Sequence, residues 1–172
     1  MKRGLTILFC MCRLFASAEG EEDYAVANIP AALLKNANAI KRTEEILFEI
    51  TEGNRARYRR KVAFTILNEQ GDKWSMFGEG YDKLRSIEYF EGSLFDAEGK
   101  KIKSLKKGEI KDVSGYSDGS LADDNRIKWH QFLYKVYPYT VEYEIEVRYR
   151  GTMFIPDWIP LEKSLLSVQY SR

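Results

Sequence analysis

Residues 137–150 read Tyr-Pro-Tyr-Thr-Val-Glu-Tyr-Glu-Ile-Glu-Val-Arg-Tyr-Arg, and no other stretch restricts the fold as strongly. From Val141 onward the odd positions (Val141, Tyr143, Ile145, Val147, Tyr149) are β-branched or aromatic, and the even ones (Glu142, Glu144, Glu146, Arg148, Arg150) are charged. Successive strand side chains point to opposite faces, so this sequence places its apolar groups on one side and its charges on the other. A helix would spread the same residues around its circumference. The pattern predicts an antiparallel strand with one wet face, entered at Pro138, where a missing N–H is tolerated.

The rest of the chain keeps this grammar with little helix. Pro30 stands at a first helical position, with Leu33, Leu34, Ala37 and Ile40 at helical spacing, which predicts one short helix over 30–40. Strands are expected over 45–51, 57–67, 84–95, 100–105, 127–136 and 164–170, with turn chemistry at Gly53-Asn54, at 68–72 and at Asp96-Ala97-Glu98-Gly99. Strand 127–136 is expected to pair with 139–150 like a hairpin. Residues 73–82 read as irregular, and 108–126 as the longest loop, of a length that tends to carry function. Regular strand and turn spacing of this kind points to an all-β sandwich.

Residues 1–18 differ in character from the remainder of the chain. Lys2 and Arg3 precede a short apolar run from Leu5 to Cys12, and Ala16-Ser17-Ala18 fits a small-x-small cleavage site before an acidic stretch. The reading is a signal peptide spanning 1–18, followed by a single domain over 19–172, exported to a periplasmic or extracellular location. The apolar run is too short to span a bilayer, so no transmembrane helix is expected in the mature chain. Loss of Lys2, Arg3 and Arg13 lowers the basic side chains from 27 to 24 against 26 acidic ones, too even a balance to favour nucleic acid. Cys10 and Cys12, the only cysteines, would leave with the leader.

That loss restricts the chemistry. With no thiol and one imidazole, His130, a Cys-His or Ser-His constellation has little to be built from. His130 sits in a strand pattern and reads as a surface or cross-strand residue. A metal site lacks its usual Cys and His ligands, and no cofactor is expected. A hydrolase would need Asp123 or Asp124 to work with a distant carboxylate, and a lone acid lacks the division of labour that acid–base catalysis requires. The candidate interaction residues are therefore Asp112, Tyr116, Asp118, Asp123, Asp124 and Arg126 in the long loop. Trp74, Tyr81 and Trp158 form a candidate aromatic contact that would suit a stand-alone carbohydrate- or peptide-binding module. The lysine run Lys100, Lys101, Lys103, Lys106, Lys107 and Lys111 reads as protection of a sheet edge.

Several segments together resemble a known family: Asn28-Ile29-Pro30, Thr65-Ile66-Leu67-Asn68 with Gly71, Tyr81-Asp82, Asp96-Ala97-Glu98-Gly99-Lys100, Ile110-Lys111-Asp112-Val113-Ser114, Asp124-Asn125-Arg126, and Tyr137-Pro138-Tyr139-Thr140-Val141-Glu142-Tyr143. The chain is similar over 24–172 to the bacterial domain of unknown function that precedes transglutaminase-like domains in exported proteins. The resemblance implies an immunoglobulin-like antiparallel β-sandwich. It implies a non-catalytic accessory role, docking to or presenting substrate to a transglutaminase-like catalytic domain, in cis or in trans. Residue 172 falls about where such a domain would hand over, so the partner's Cys-His-Asp triad has no positions in this sequence.

Overall fold

The computed structural model describes residues 23–115, 124–152, 155–161 and 165–172; the expected leader lies outside them. The strands are β1 (Ala39–Glu52), β2 (Arg55–Ile66), β3 (Met76–Tyr81), β4 (Arg85–Phe95), β5 (Lys101–Ser104), β6 (Lys111–Ser114), β7 (Arg126–Gln131), β8 (Tyr139–Tyr149) and β9 (Leu166–Val168). They form a six-stranded sheet in the order β5-β4-β8-β2-β1-β9 and a three-stranded sheet in the order β3-β7-β6. The result is an all-β sandwich of unequal layers.

The alternating stretch is β8, which lies between β2 and β4 and pairs antiparallel with both. Its apolar face, from Tyr139 through Val147, is buried against the small sheet. Tyr143 is at the centre: Phe77 of β3 stacks on its ring at 5.3 Å, while Phe90 and Phe132 lie at 6.0 and 5.5 Å. The charged face is satisfied by neighbouring strands. Arg59 reaches Glu146 at 2.6 Å, Lys61 reaches Glu142 at 3.3 Å, and the Tyr89 hydroxyl donates to Glu144 at 2.5 Å. Opposite charges across adjacent strands reinforce the register that the buried face already fixes.

Gly92 pairs with Tyr143 across the ladder, and a Cβ there would come within 2.9 Å of the Tyr143 ring. The bare backbone lets the ring lie flat. Gly92→Ala should therefore cost about 1–3 kcal/mol by overpacking, read as a lower midpoint in urea with unchanged slope.

Several expectations are corrected. The helix is a single turn, α1 (Ala31–Leu34), because Asn36 takes the left-handed conformation at φ 59° and Ile40 already pairs with Thr65 in β1. Leu34 remains exposed, so no packed face holds the helix longer. Residues 76–81 form a strand that Gly78 and Gly80 concealed by interrupting the alternation. The long loop contains β6. Strand β7 stops at Gln131 and pairs with β3 and β6, so it and β8 belong to different sheets. The chain crosses between layers at 132–138. This crossing is held by Asp72, whose carboxylate accepts from Lys135 at 2.5 Å, Tyr137 at 2.9 Å and Tyr139 at 3.2 Å. Burial alone would raise the Asp72 pKa, but these donors outweigh it and hold it below the ordinary value. His130 takes the cross-strand alternative, opposite Phe77 in the β3–β7 ladder, and is buried rather than at the surface. The edge-strand reading of the lysines agrees with β5, whose Lys101 and Lys103 are exposed at one border of the large sheet.

Candidate functional site at the loop end of the sandwich

Four parts of the chain meet at one end of the sandwich: the β1–β2 turn at Gly53-Asn54, the β3–β4 turn at 82–84, the facing ends of β6 and β7 at 114–115 and 124–126, and residues 150–152 after β8. The Arg150 N–H donates to the Leu84 carbonyl at 2.7 Å, and Lys83 pairs with Asp124, so these connections brace one another. Of the candidate loop residues, Asp112 and Arg126 are brought together with Tyr81. Arg126 Nε donates to Asp112 Oδ1 at 2.9 Å and to the Tyr81 hydroxyl at 3.0 Å, and that hydroxyl donates to Asp112 Oδ2 at 2.7 Å. Hydrogen bonds from Tyr81 and Arg126 hold the Asp112 carboxyl below its ordinary pKa. The three residues clasp the ends of β3, β6 and β7, with their polar atoms bonded to one another. Tyr116, Asp118 and Asp123 lie outside the described residues.

The three candidate aromatics sit in different places. Trp74 stacks on Phe64 at 5.5 Å against the core. Tyr81 belongs to the clasp. Trp158 is 53% exposed and donates to Ser171 Oγ at 2.9 Å, on the flank of β1. The sole imidazole is also engaged. The Tyr143 hydroxyl donates to the Ser75 carbonyl at 2.9 Å, which leaves His130 Nδ1, 3.0 Å away, as the donor to the phenol oxygen. Burial lowers the His130 pKa, so the ring is neutral at pH 7.

Two features escaped the sequence reading. A cleft of about 700 Å³ opens beside the β1–β2 turn, lined by Asn54 and Ser86 together with Arg55, Arg57, Arg148 and Arg150. A second, of about 680 Å³, adjoins it through Asn54, Tyr149 and Arg150 and is lined on its apolar side by Leu84, Ile155 and Pro156. Alternate arginines at 55 and 57 and at 148 and 150 were visible in the sequence, but their convergence depends on the register Arg57↔Arg148. The other feature is the outer face of the small sheet. Phe77 and His130 point inward there, so their neighbours Met76, Ile127 and Val113 point out and are exposed, with Trp129 beside Gly78 and the Lys111 ammonium 4.7 Å above the indole.

Among the described residues no group of three or more His, Cys, Asp or Glu side chains is placed to hold a metal ion, and no helix is long and apolar enough to cross a membrane. Fold and surfaces together define a two-layer β-sandwich with clefts at its loop end. Residues 53–172, more than half of the sequence, match the family described as a domain of unknown function with a solved structure, DUF3857, and the chain belongs to that family. No curated protein matches it. It is similar in fold to the crystal structure of a "putative protease" from Parabacteroides distasonis, with a TM-score of 0.58 at 9% identity. The likeness covers 68% of this chain and 24% of that one, so this chain corresponds to about a quarter of the length of its neighbour.

Proposed function

We propose that this chain is an exported, non-catalytic accessory module, immunoglobulin-like in its sandwich, that docks against a catalytic domain of peptidase or transglutaminase type, in the same polypeptide or a separate one. The observation that carries the reading is the outer face of the small sheet. Met76, Val113 and Ile127 stand exposed around Trp129 on a surface flattened by Gly78 and Gly80, and no described element covers it. Aromatic and aliphatic groups gathered on a flat face suit the centre of a protein interface. Support also comes from the engaged state of His130 and from the neighbour of which this chain matches a quarter.

The test mixes the purified chain with a transglutaminase-like domain from the same genome and follows association by analytical ultracentrifugation. Ile127→Glu should weaken the complex by at least about tenfold, the scale of an interface hot spot, with no change in thermal midpoint because the side chain faces solvent. Absence of a complex at tens of micromolar defeats the docking reading. Turnover by the isolated chain that is lost on changing one of its own side chains defeats the non-catalytic one.

A further inference from the structure

Strand β2 presents Arg55 and Arg57, strand β8 presents Arg148, and Arg150 follows directly after β8, all four lining one cleft. Arg57 lies directly opposite Arg148 in the ladder. Like charges in that relation repel and weaken a sheet. The cleft contains only two acids, Glu52 and Glu88. Glu88 is taken by Arg148 at 3.1 Å, and Arg57 leans on Glu146 at 3.5 Å. Arg55 and Arg150 have no ion-pair or side-chain hydrogen-bond partner among the described residues. The adjoining apolar cleft is balanced, with Arg85 and Arg150 against Asp82 and Asp157, and Asp82 is already bound to Arg85 at 2.8 Å. The surplus positive charge therefore sits in the first cleft, beside an apolar wall.

We propose that this end of the sandwich binds an acidic peptide segment in which a carboxylate-bearing residue neighbours a bulky apolar one. The carboxylate would sit between the Arg55 and Arg150 guanidiniums, whose planar forks match a two-oxygen acceptor. Arg150 and Tyr149 line both clefts, so the apolar side chain of the same segment falls on Leu84, Ile155 and Pro156. A free phosphate would use the first cleft and leave the second idle. A polyuronic sugar would offer carboxylates but no side chain for the apolar wall. This site is on a different surface from the small-sheet face, so either proposal can fail without the other.

The experiment titrates the full 172-residue chain into a fluorescein-labelled, end-blocked peptide of alternating Glu and Leu, read by fluorescence anisotropy. Saturable binding is expected, weakening with salt as exposed charge pairs do. Replacing Glu by Gln in the peptide, or Leu by Ser, should each weaken it by at least about tenfold. The variant Arg55→Gln/Arg150→Gln should lose the same amount while keeping the wild-type thermal midpoint; Arg55→Gln alone, at the exposed strand end, provides the reading should the double variant unfold. The proposal is overturned if the arginine variants bind within twofold of wild type, or if the Gln peptide binds equally well. It is overturned likewise by no binding at millimolar peptide, by inorganic phosphate displacing the peptide where equal acetate does not, or by polygalacturonate binding more tightly than the peptide.

Discussion

Replacing Glu44 by Gln is expected to destabilise the protein by about 3–5 kcal/mol, a large part of the stability an ordinary domain possesses. Lys41 and Glu44 are 0% and 2% exposed on the inner side of β1, with the ammonium 2.8 Å from the carboxylate. Arg60 closes on the other carboxylate oxygen at 2.6 Å, and Ser171 donates to the first at 2.8 Å. The acid thus neutralises two cations, one of them fully buried. Gln keeps the shape and some hydrogen bonds but removes the negative charge that both cations face inside the sheet. The pH dependence has a definite sign. Burial would raise the Glu44 pKa, but Lys41, Arg60 and Ser171 outweigh it and hold the folded value below 4.5. The pair's contribution is complete above that value and is lost as pH falls through the depressed folded one. Urea titrations at pH 7 and in the acid range should therefore show the gap between wild type and Glu44→Gln narrowing on acidification. The same acid tethers the C-terminal segment, since Arg172 N–H donates to the Glu44 carbonyl and Trp158 reaches Ser171. Amide exchange at Arg172 and Ile46 should accelerate in the variant. A variant within 1 kcal/mol of wild type would mean that the cluster is hydrated rather than buried.

How much of this was legible beforehand differs by element, for physical reasons. Strand β8 could be read residue by residue because its two faces have separate solvents, core and water, and the period of two survives intact. Strand β1 could not be read the same way. Its run Lys41-Arg42-Thr43-Glu44 looks polar and exposed, yet a register shift between Lys41 and Thr43 and cover on both sides bury all four. Arg42 donates to the carbonyls of Asp23 and Tyr24 on one flank, while Glu44 holds Ser171 on the other. Both covering segments come from far away in sequence, so no local pattern announces them. Strand β3 was hidden by Gly78 and Gly80, which carry no apolar signal although they shape the outer face. Of the candidate site residues, Asp112, Arg126 and Tyr81 converge, whereas Trp74 is absorbed by the core. The arginine cleft was present as letters on two strands and became a site only through register.

Tyr143→Ala should cost about 3–5 kcal/mol, the range for removing a large aromatic from a core, and Tyr143→Phe about 1–3 kcal/mol. The two variants separate two jobs. The ring fills the space between the layers, touching Phe77 from the small sheet and Phe90 from the large one, so its loss opens a cavity that neither sheet can close alone. The hydroxyl ties the Ser75 carbonyl to His130, and Phe in its place leaves both polar groups buried without that partner. Burial pushes the phenol pKa far up, so it serves as a neutral donor and acceptor throughout. His130 adds a pH signature. Its folded pKa lies below 6.5, chiefly through burial, so on acidification the unfolded chain takes up the proton first. Stability should fall as pH drops below 6.5 toward the folded value, and be flat in that window for His130→Asn. Guanidinium denaturation from pH 5 to 8 tests both points. If Tyr143→Phe matched wild type while Tyr143→Ala remained folded with little loss, the two sheets would be held together elsewhere, and the packing of β8 against β3 would not be what joins the layers.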